Sequence, residues 1–306
     1  MIARSFRGNN NKEKRIMCSL DFAYQNFMLD NLRKNLSPET MRYYRENLTR
    51  FIRWLVDRNV KKTSKITQAL TNEYLLFLVQ SVPNKTSINT YLRALRRFIN
   101  HLTKERLIKP VAIELVKDAK KIKPTFSNED ITIILNSVKA TDDTSIIMLL
   151  LLSVGIRSRS LCELRVRDIE FDDGYINVQR TKNGEPLRLP ISTDVTYILK
   201  EYVVLNCKRE LLFETVRGNK FNRDSLAKRI NKRLRKLGIQ DHKKGVHIFR
   251  HTFGKIMSMN SCPTTVLQKW FGHSDIRVTQ RYVDLYGKEL KSTMNMLPTN
   301  GYQYCK

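Results

Sequence analysis

The residue types best suited to chemistry gather in short stretches of the C-terminal half. HIFRHTFGKIM puts His247 and Arg250 three positions apart, so on a helix both share one face. WFGHSDIRVTQRY carries His273 and ends on Tyr282, nine positions later. Upstream, GIRSRSLCEL holds Arg157 just after an apolar run, and Lys182 stands in a TKNG turn between these blocks. Guanidiniums stay charged and fork to match phosphate oxygens, so Arg157 and Arg250 suit a phosphodiester, whose own charge repels nucleophiles. Together they would stabilise its charged transition state electrostatically. A phenol with a pKa of about 10 needs help to attack. Nearby cations lower that pKa, and His247 can take the proton or hydrogen-bond the phosphate. Lys182 on a turn can protonate a leaving oxygen, with Lys220 as the other lysine to weigh, while His273 can bond a phosphate oxygen. Such a site calls for no metal and no cofactor, because its cations belong to the chain itself.

Each of these residues also has an ordinary explanation. An arginine at a helix end is usually a surface charge or a cap, a hairpin lysine is usually solvated, and a tyrosine near the C-terminus usually packs. Gly-His is often a turn with a satisfied imidazole. The chemical reading rests on the blocks occurring together and in order, not on any one of them.

These residues need elements to position them. SIIMLLLLSVGI has no polar face and reads as a buried helix ending at Arg157. YINVQRT and PLRLPIS read as short strands, and Asn183-Gly184 between them is a strong hairpin-turn signal. Helices resume near Thr193. A catalytic domain is expected over 126–306, opening at TFSNEDITIILNSV, where Ser127 and Asp130 fit a capping box. YGKELKSTMNML, after Tyr282, reads as a helical tail.

The preceding part reads as a separate helical domain over 18–106, behind a flexible basic arm over 1–17 and ahead of a basic linker over 107–125. Phe22, Phe27, Met28 and Leu32 have helical spacing. Ser37 and Pro38 open a second helix with Tyr44, Leu48, Phe51, Ile52 and Leu55 on one face. A third spans about 72–80. A fourth, starting near Thr86, interleaves Arg93, Arg96 and Arg97 with Leu92, Leu95 and Phe98. Its cationic face is a candidate for tracking a phosphate backbone, against the alternative of a solvated charged face.

Composition points the same way. There are 56 Lys plus Arg against 29 Asp plus Glu, a formal net charge of +27. That excess repels itself unless a polyanion screens it, and nucleic acid is the natural one, since Lys and Arg release its counterions on binding. A membrane surface is the rival, but the apolar run near Ile146–Gly155 is too short to span a bilayer. Five scattered cysteines without a CxxC pair fit reduced thiols in the cytoplasm and offer no zinc site. Bound to DNA, the chain would sit with the nucleoid.

Four blocks, in order, resemble the tyrosine recombinase (phage integrase) family. Gly155-Ile156-Arg157 is similar to its first arginine block, Thr181 to Gly184 to its hairpin lysine, His247 to Phe253 to its H-x-x-R-H-T-F block, and Gly272 to Tyr282 to its G-H-S-x-x-x-x-T-x-x-Y block. The segment 20–106 is more weakly similar to the family's core-binding domain. The resemblance implies a mainly helical fold with a small antiparallel sheet, in two domains forming a C-shaped clamp on duplex DNA. It implies a site-specific recombinase cutting and rejoining strands through a phosphotyrosine at Tyr282, without ATP, as a homotetramer on paired sites. The tail after Tyr282 would pack on a neighbouring subunit. Alternatives are topoisomerase-like relaxation, a DNA-binding relic without activity, and a basic scaffold for anionic surfaces. One position departs from the family: the acid usual three places after the first arginine is Ser160, and Glu163 is the nearest carboxylate.

Overall fold

The computed structural model describes residues 19–118, 123–179, 186–215, 217–239 and 245–286. The chain divides into two units, Met1–Lys120 and Lys121–Lys306. The basic arm, the TKNG turn with Lys182, and the tail from 287 onward lie outside the described residues. Among the described residues, no helix is long and apolar enough to cross a membrane.

The first unit is built from α1 (Leu20–Arg33), α2 (Pro38–Asp57), α3 (Gln68–Ser81) and α4 (Lys85–Lys104). Side-chain oxygens of Ser19, Ser37, Thr67 and Asn84 accept from the first free amides of the four helices in turn. Leu48, Phe51, Trp54 and Leu55 of α2 meet Leu92, Leu95, Phe98 and Ile99 of α4 in one core. The face of α1 differs from the expected one. Leu20, Ala23 and Phe27 are buried, whereas Phe22 and Leu32 are exposed. The set beginning at Leu20 keeps the i, i+3, i+7 spacing of a helical stripe, and Phe27 clasps Tyr44 and Phe98 edge to face.

The stretch 107–118, expected as the start of a linker, is packed onto this unit. The carboxamide of Asn89 pairs with both backbone groups of Val116, and that of Gln68 with both of Ala112. Arg96 donates to the Ile113 carbonyl, and the Ile113 side chain is buried in the core. The Pro and Lys content of this stretch marks it as irregular, but does not show that polar side chains on α3 and α4 receive it.

In the second unit, α5 (Asn128–Asn136) opens on the expected capping box, with reciprocal bonds between Ser127 and Asp130. It is followed by α6 (Asp143–Ser153) and the short α7 (Ser158–Glu163). Residues 146–152 of α6 are buried on every side, as the absence of a polar face requires. Strands β1 (Ile169–Glu170), β2 (Tyr175–Val178) and β3 (Leu187–Pro190) form an antiparallel sheet in that order, with Ile176 facing Ile169 and Leu189. β1 is too short for a sequence signal. The remaining helices are α8 (Thr193–Leu205), α9 (Arg223–Lys236), α10 (His247–Met259), α11 (Thr264–Phe271) and α12 (Ile276–Tyr286). Arg157, His247, Arg250, His273 and Tyr282 therefore sit at the start of α7, along α10, after α11 and on α12.

Candidate active site

The arrangement begins with a glycine. Gly155 follows α6 at φ +63, where a Cβ would lie 2.5 Å from Cδ1 of Phe253. Only glycine accepts both that conformation and that contact. Its carbonyl takes a 2.7 Å bond from Nη1 of Arg250. Two residues on, Arg157 occupies the N-cap of α7 in an extended conformation, so its side chain leaves before the helix turns. Ile156 between them is buried and fixes the segment.

α11 supplies the opposite wall. It ends at Gly272, in the left-handed conformation at φ +53, which exposes its last carbonyls. Phe271 O accepts from Nη2 of Arg250 at 2.8 Å, and Gly272 O accepts from Nη2 of Arg157 at 3.2 Å. Arg250 is 8% exposed and its guanidinium lies 4.0 Å from the centre of the Phe271 ring. Burial, and after it the neighbouring Arg157 charge, pulls the Arg250 pKa down to about 9. Burial also lowers that of Arg157. Both remain cations at neutral pH, and among the described residues neither is ion-paired to a carboxylate. Glu163 instead faces Arg159 and Lys220, and Ser160 is buried in α7. Two neighbouring cations that donate to backbone carbonyls, with no carboxylate paired to either among the described residues, form a site prepared for an anion.

His273 follows directly. Its Nε2 stands 3.5 Å from Nη2 of Arg250, and its Nδ1 is 2.9 Å from the hydroxyl of the fully buried Thr279. Thr279 is the threonine of the GHS block, so that block encodes the orientation of its own histidine. Gln268 brackets the His273 backbone from α11. Burial, then Arg250 and Arg157, lowers the His273 pKa to about 4, so the ring is neutral. His247 opens α10 and reaches solvent. Desolvation, followed by Arg223, Arg250, Lys123 and Arg157, lowers its pKa as well.

Tyr282 lies flat against α10. A Cβ on Gly254 would sit 2.6 Å from its Cε1, and the Phe271 ring is 5.4 Å away, centre to centre. Its hydroxyl is 2.7 Å from Nδ1 of His251. Desolvation, then Lys123, His247 and Arg250, holds the His251 pKa at about 4. Five of the expected residues, Arg157, His247, Arg250, His273 and Tyr282, thus come from four separate segments into one electrostatically coupled group. Lys182 falls outside the described residues. Lys220, the other lysine considered, is close to Glu163.

Spacing arguments do not single out His251, Gly254, Lys123 or Arg223. Gly254 carries a readable signal, since a glycine inside a helix costs about 0.5–1 kcal/mol relative to alanine and asks for a close neighbour. His251 is one turn after His247 and shares its face. In the first unit, Arg93 and Arg97 are exposed on α4, whereas Arg96 is turned onto Ile113 and does not join them.

The phage integrase family matches residues 125–289, and the N-terminal SAM-like domain of phage integrases matches residues 27–106. Tyrosine recombinase XerA of Saccharolobus solfataricus is 31% identical over 207 residues, covering 67% of this chain and 66% of the relative. Tyrosine recombinase XerC of Thermodesulfovibrio yellowstonii is 26% identical over 292 residues, covering 90% and 95%. Among solved structures, the XerH recombinase on a palindromic difH substrate aligns with a TM-score of 0.71 at 16% identity, over 86% of this chain and 81% of that one. The Tn1549 transposon integrase with circular intermediate DNA aligns with a TM-score of 0.70 at 17% identity, over 89% and 98%.

Proposed function

This chain belongs to the phage integrase family of tyrosine recombinases, enzymes of site-specific DNA recombination, and from that premise we propose the roles of its residues. Tyr282 attacks the scissile phosphate and forms a 3′-phosphotyrosine, releasing a 5′-hydroxyl. Arg157 and Arg250 hold the two non-bridging oxygens and stabilise the charge of the transition state. His273, held by Thr279, and His247 hydrogen-bond the same phosphate. Lys182 protonates the leaving oxygen. The energy of the cut bond is kept in the phosphotyrosine, so rejoining needs no ATP.

The observation that carries this reading is the pair of guanidiniums fixed by carbonyls rather than carboxylates, with the one tyrosine of the GHS block close by. An anion with two free oxygens completes such a pair. The duplex is the substrate, and the exposed arginines of α4 run along its backbone. Paired sites are joined by four copies of the chain, exchanging one pair of strands at a time. The relatives are themselves named as recombinases, which supports exchange over simple relaxation.

Covalent trapping tests the chemistry. On a nicked DNA that loses its 5′-fragment after cleavage, the protein should accumulate as a DNA adduct, and Tyr282→Phe should bind equally well without forming one. An adduct formed by the Phe variant would remove Tyr282 from this role.

A further inference from the structure

The hydroxyl of Tyr282 and Nδ1 of His251 are 2.7 Å apart, on α12 and α10, two helices packed through Gly254. We propose that His251 is a catalytic residue: it takes the phenol proton of Tyr282 when DNA is cut and returns it when DNA is rejoined. The proposal rests on Tyr282 being the nucleophile, and it gives to His251 the proton-accepting role that spacing alone offers to His247.

The proposal assigns the tautomer. A tyrosine hydroxyl donates most readily to an unprotonated ring nitrogen, so Nδ1 is the acceptor and the proton of neutral His251 is on Nε2. Gly254 lets the phenol ring lie against the helix one turn beyond Arg250, so ring and imidazole keep this register. The step balances without any further reagent. The Oη–H bond of Tyr282 breaks and its proton goes to Nδ1. The phenol oxygen bonds to phosphorus, the bond from phosphorus to the 5′-oxygen breaks, and that oxygen takes a proton from the general acid. Rejoining reverses each transfer.

The same surroundings make the transfer depend on DNA. Around His251 stand Lys123 ahead of α5, His247 and Arg250 on α10, and Tyr282 on α12. Without an anion, burial first and then the charges of Lys123 and Arg250 disfavour a protonated His251, so the proton stays on the phenol. A phosphate held by Arg157 and Arg250 offsets those charges and raises the proton affinity of His251. Tyr282 is therefore activated only when a phosphodiester is in place.

The test uses single-turnover cleavage of the nicked DNA between pH 5.5 and 9.5 by the full-length chain. His251→Asn keeps a hydrogen-bond acceptor near the position of Nδ1 but cannot take the proton. It should cleave about 100-fold slower or worse at pH 7, the low end of what a general base supplies. Its rate should climb roughly tenfold per pH unit as hydroxide, rather than His251, removes the phenol proton. A substrate with a 5′-sulfur leaving group, which needs no general acid, should leave the deficit unchanged. Cleavage at the wild-type rate, or a loss by one factor at every pH, would overturn the proposal while leaving the Tyr282→Phe result intact. Nitrogen-15 NMR of the unaltered protein gives a second reading that does not depend on the variant folding: Nδ1 of His251 should be unprotonated at pH 7, and a proton found there overturns the assignment.

Discussion

Arg250 and Arg157 donate to the consecutive carbonyls of Phe271 and Gly272, so one turn of backbone at the end of α11 holds both guanidiniums. Neither arginine needs the other's backbone nearby in sequence. Gly272 makes this possible, because its left-handed conformation stops α11 and turns those carbonyls outward. The acid that would otherwise brace Arg157 is replaced by Ser160, and the Gly272 carbonyl provides part of that support.

Lysine is not an equivalent at either position, since it carries the charge without the fork. Arg250→Lys should lower single-turnover cleavage by about 100-fold or more, the effect of losing one oriented donor to a transition state. Inorganic phosphate or sulfate should raise the melting temperature of the unaltered protein by filling the cationic pair, and Arg157→Ala should abolish that rise. If anions stabilise the Arg157 variant equally, the pair is not their site.

Gly254 gives a prediction of the opposite kind. Alanine is the better helix former, so Gly254→Ala should leave helix content and DNA affinity unchanged or improved. Its Cβ, however, would stand 2.6 Å from the Tyr282 ring and push the phenol away from His251. Covalent adduct formation should fall at least about tenfold, as small misplacements of reacting groups do. Wild-type adduct yield would mean that α12 shifts freely, and that this packing does not set the position of the nucleophile.

How much of this was legible in the sequence varies with the range of the interaction. Caps such as Ser37 and Ser127 act within one turn, so they read correctly. The buried α6 announces itself by composition, and the arginine, histidine and tyrosine blocks by their spacing. Contacts made across the chain leave no such trace. Arg96 sits in the same basic cluster as Arg93 and Arg97, yet its partner is a carbonyl 17 positions away. His251 is adjacent to Arg250, yet its partner is on α12. On α1, Phe22 and Leu32 are apolar at helical spacing but exposed, because the position of α4 selects the stripe through Phe27.

The depressed histidines make stability depend on pH with a definite sign. His251 and His273 titrate near 4 in the folded chain against an ordinary 6.5, chiefly because burial disfavours their charged forms. Between those values the unfolded chain binds more protons, so folding stability is full above about pH 6.5 and falls as the pH drops toward 4. His247 and His101 shift in the same direction, also through desolvation first. Thermal melts of the DNA-free protein should therefore decline from pH 6.5 to 4.5, before most carboxylates titrate. Replacing His251 and His273 together by Gln should flatten that decline, and an unchanged slope would show that neither ring is held neutral by the fold. Phosphate binding opposes the shift, so DNA binding near pH 5.5 should take up protons from the buffer.

The three arginines of α4 separate structure from recognition. Arg96 is half-buried and donates to Ile113 O at 2.9 Å, fixing the stretch that Asn89 and Gln68 also hold. Arg93 and Arg97 are exposed, four positions apart, and so stand on one side of the helix. Leu92, Leu95 and Phe98 root that helix in the core, which keeps the exposed pair in a fixed relation. Removing a phosphate contact weakens binding to every sequence alike and lowers the salt slope by about one unit per contact. Arg93→Ala and Arg97→Ala should each do this on cognate and scrambled duplexes, with little change in melting temperature. Arg96→Ala should instead lower stability by about 1.5–3 kcal/mol, the range for a lost hydrogen bond to a charged group, and leave the salt slope alone. If one of the exposed pair reads a guanine edge, its removal costs about 1–3 kcal/mol at a single base pair and relaxes specificity there. Salt titrations of the three variants on both duplexes distinguish these outcomes. Unchanged affinity and slope for both Arg93→Ala and Arg97→Ala would make this face a solvated one and move the DNA contacts to another surface of the first unit.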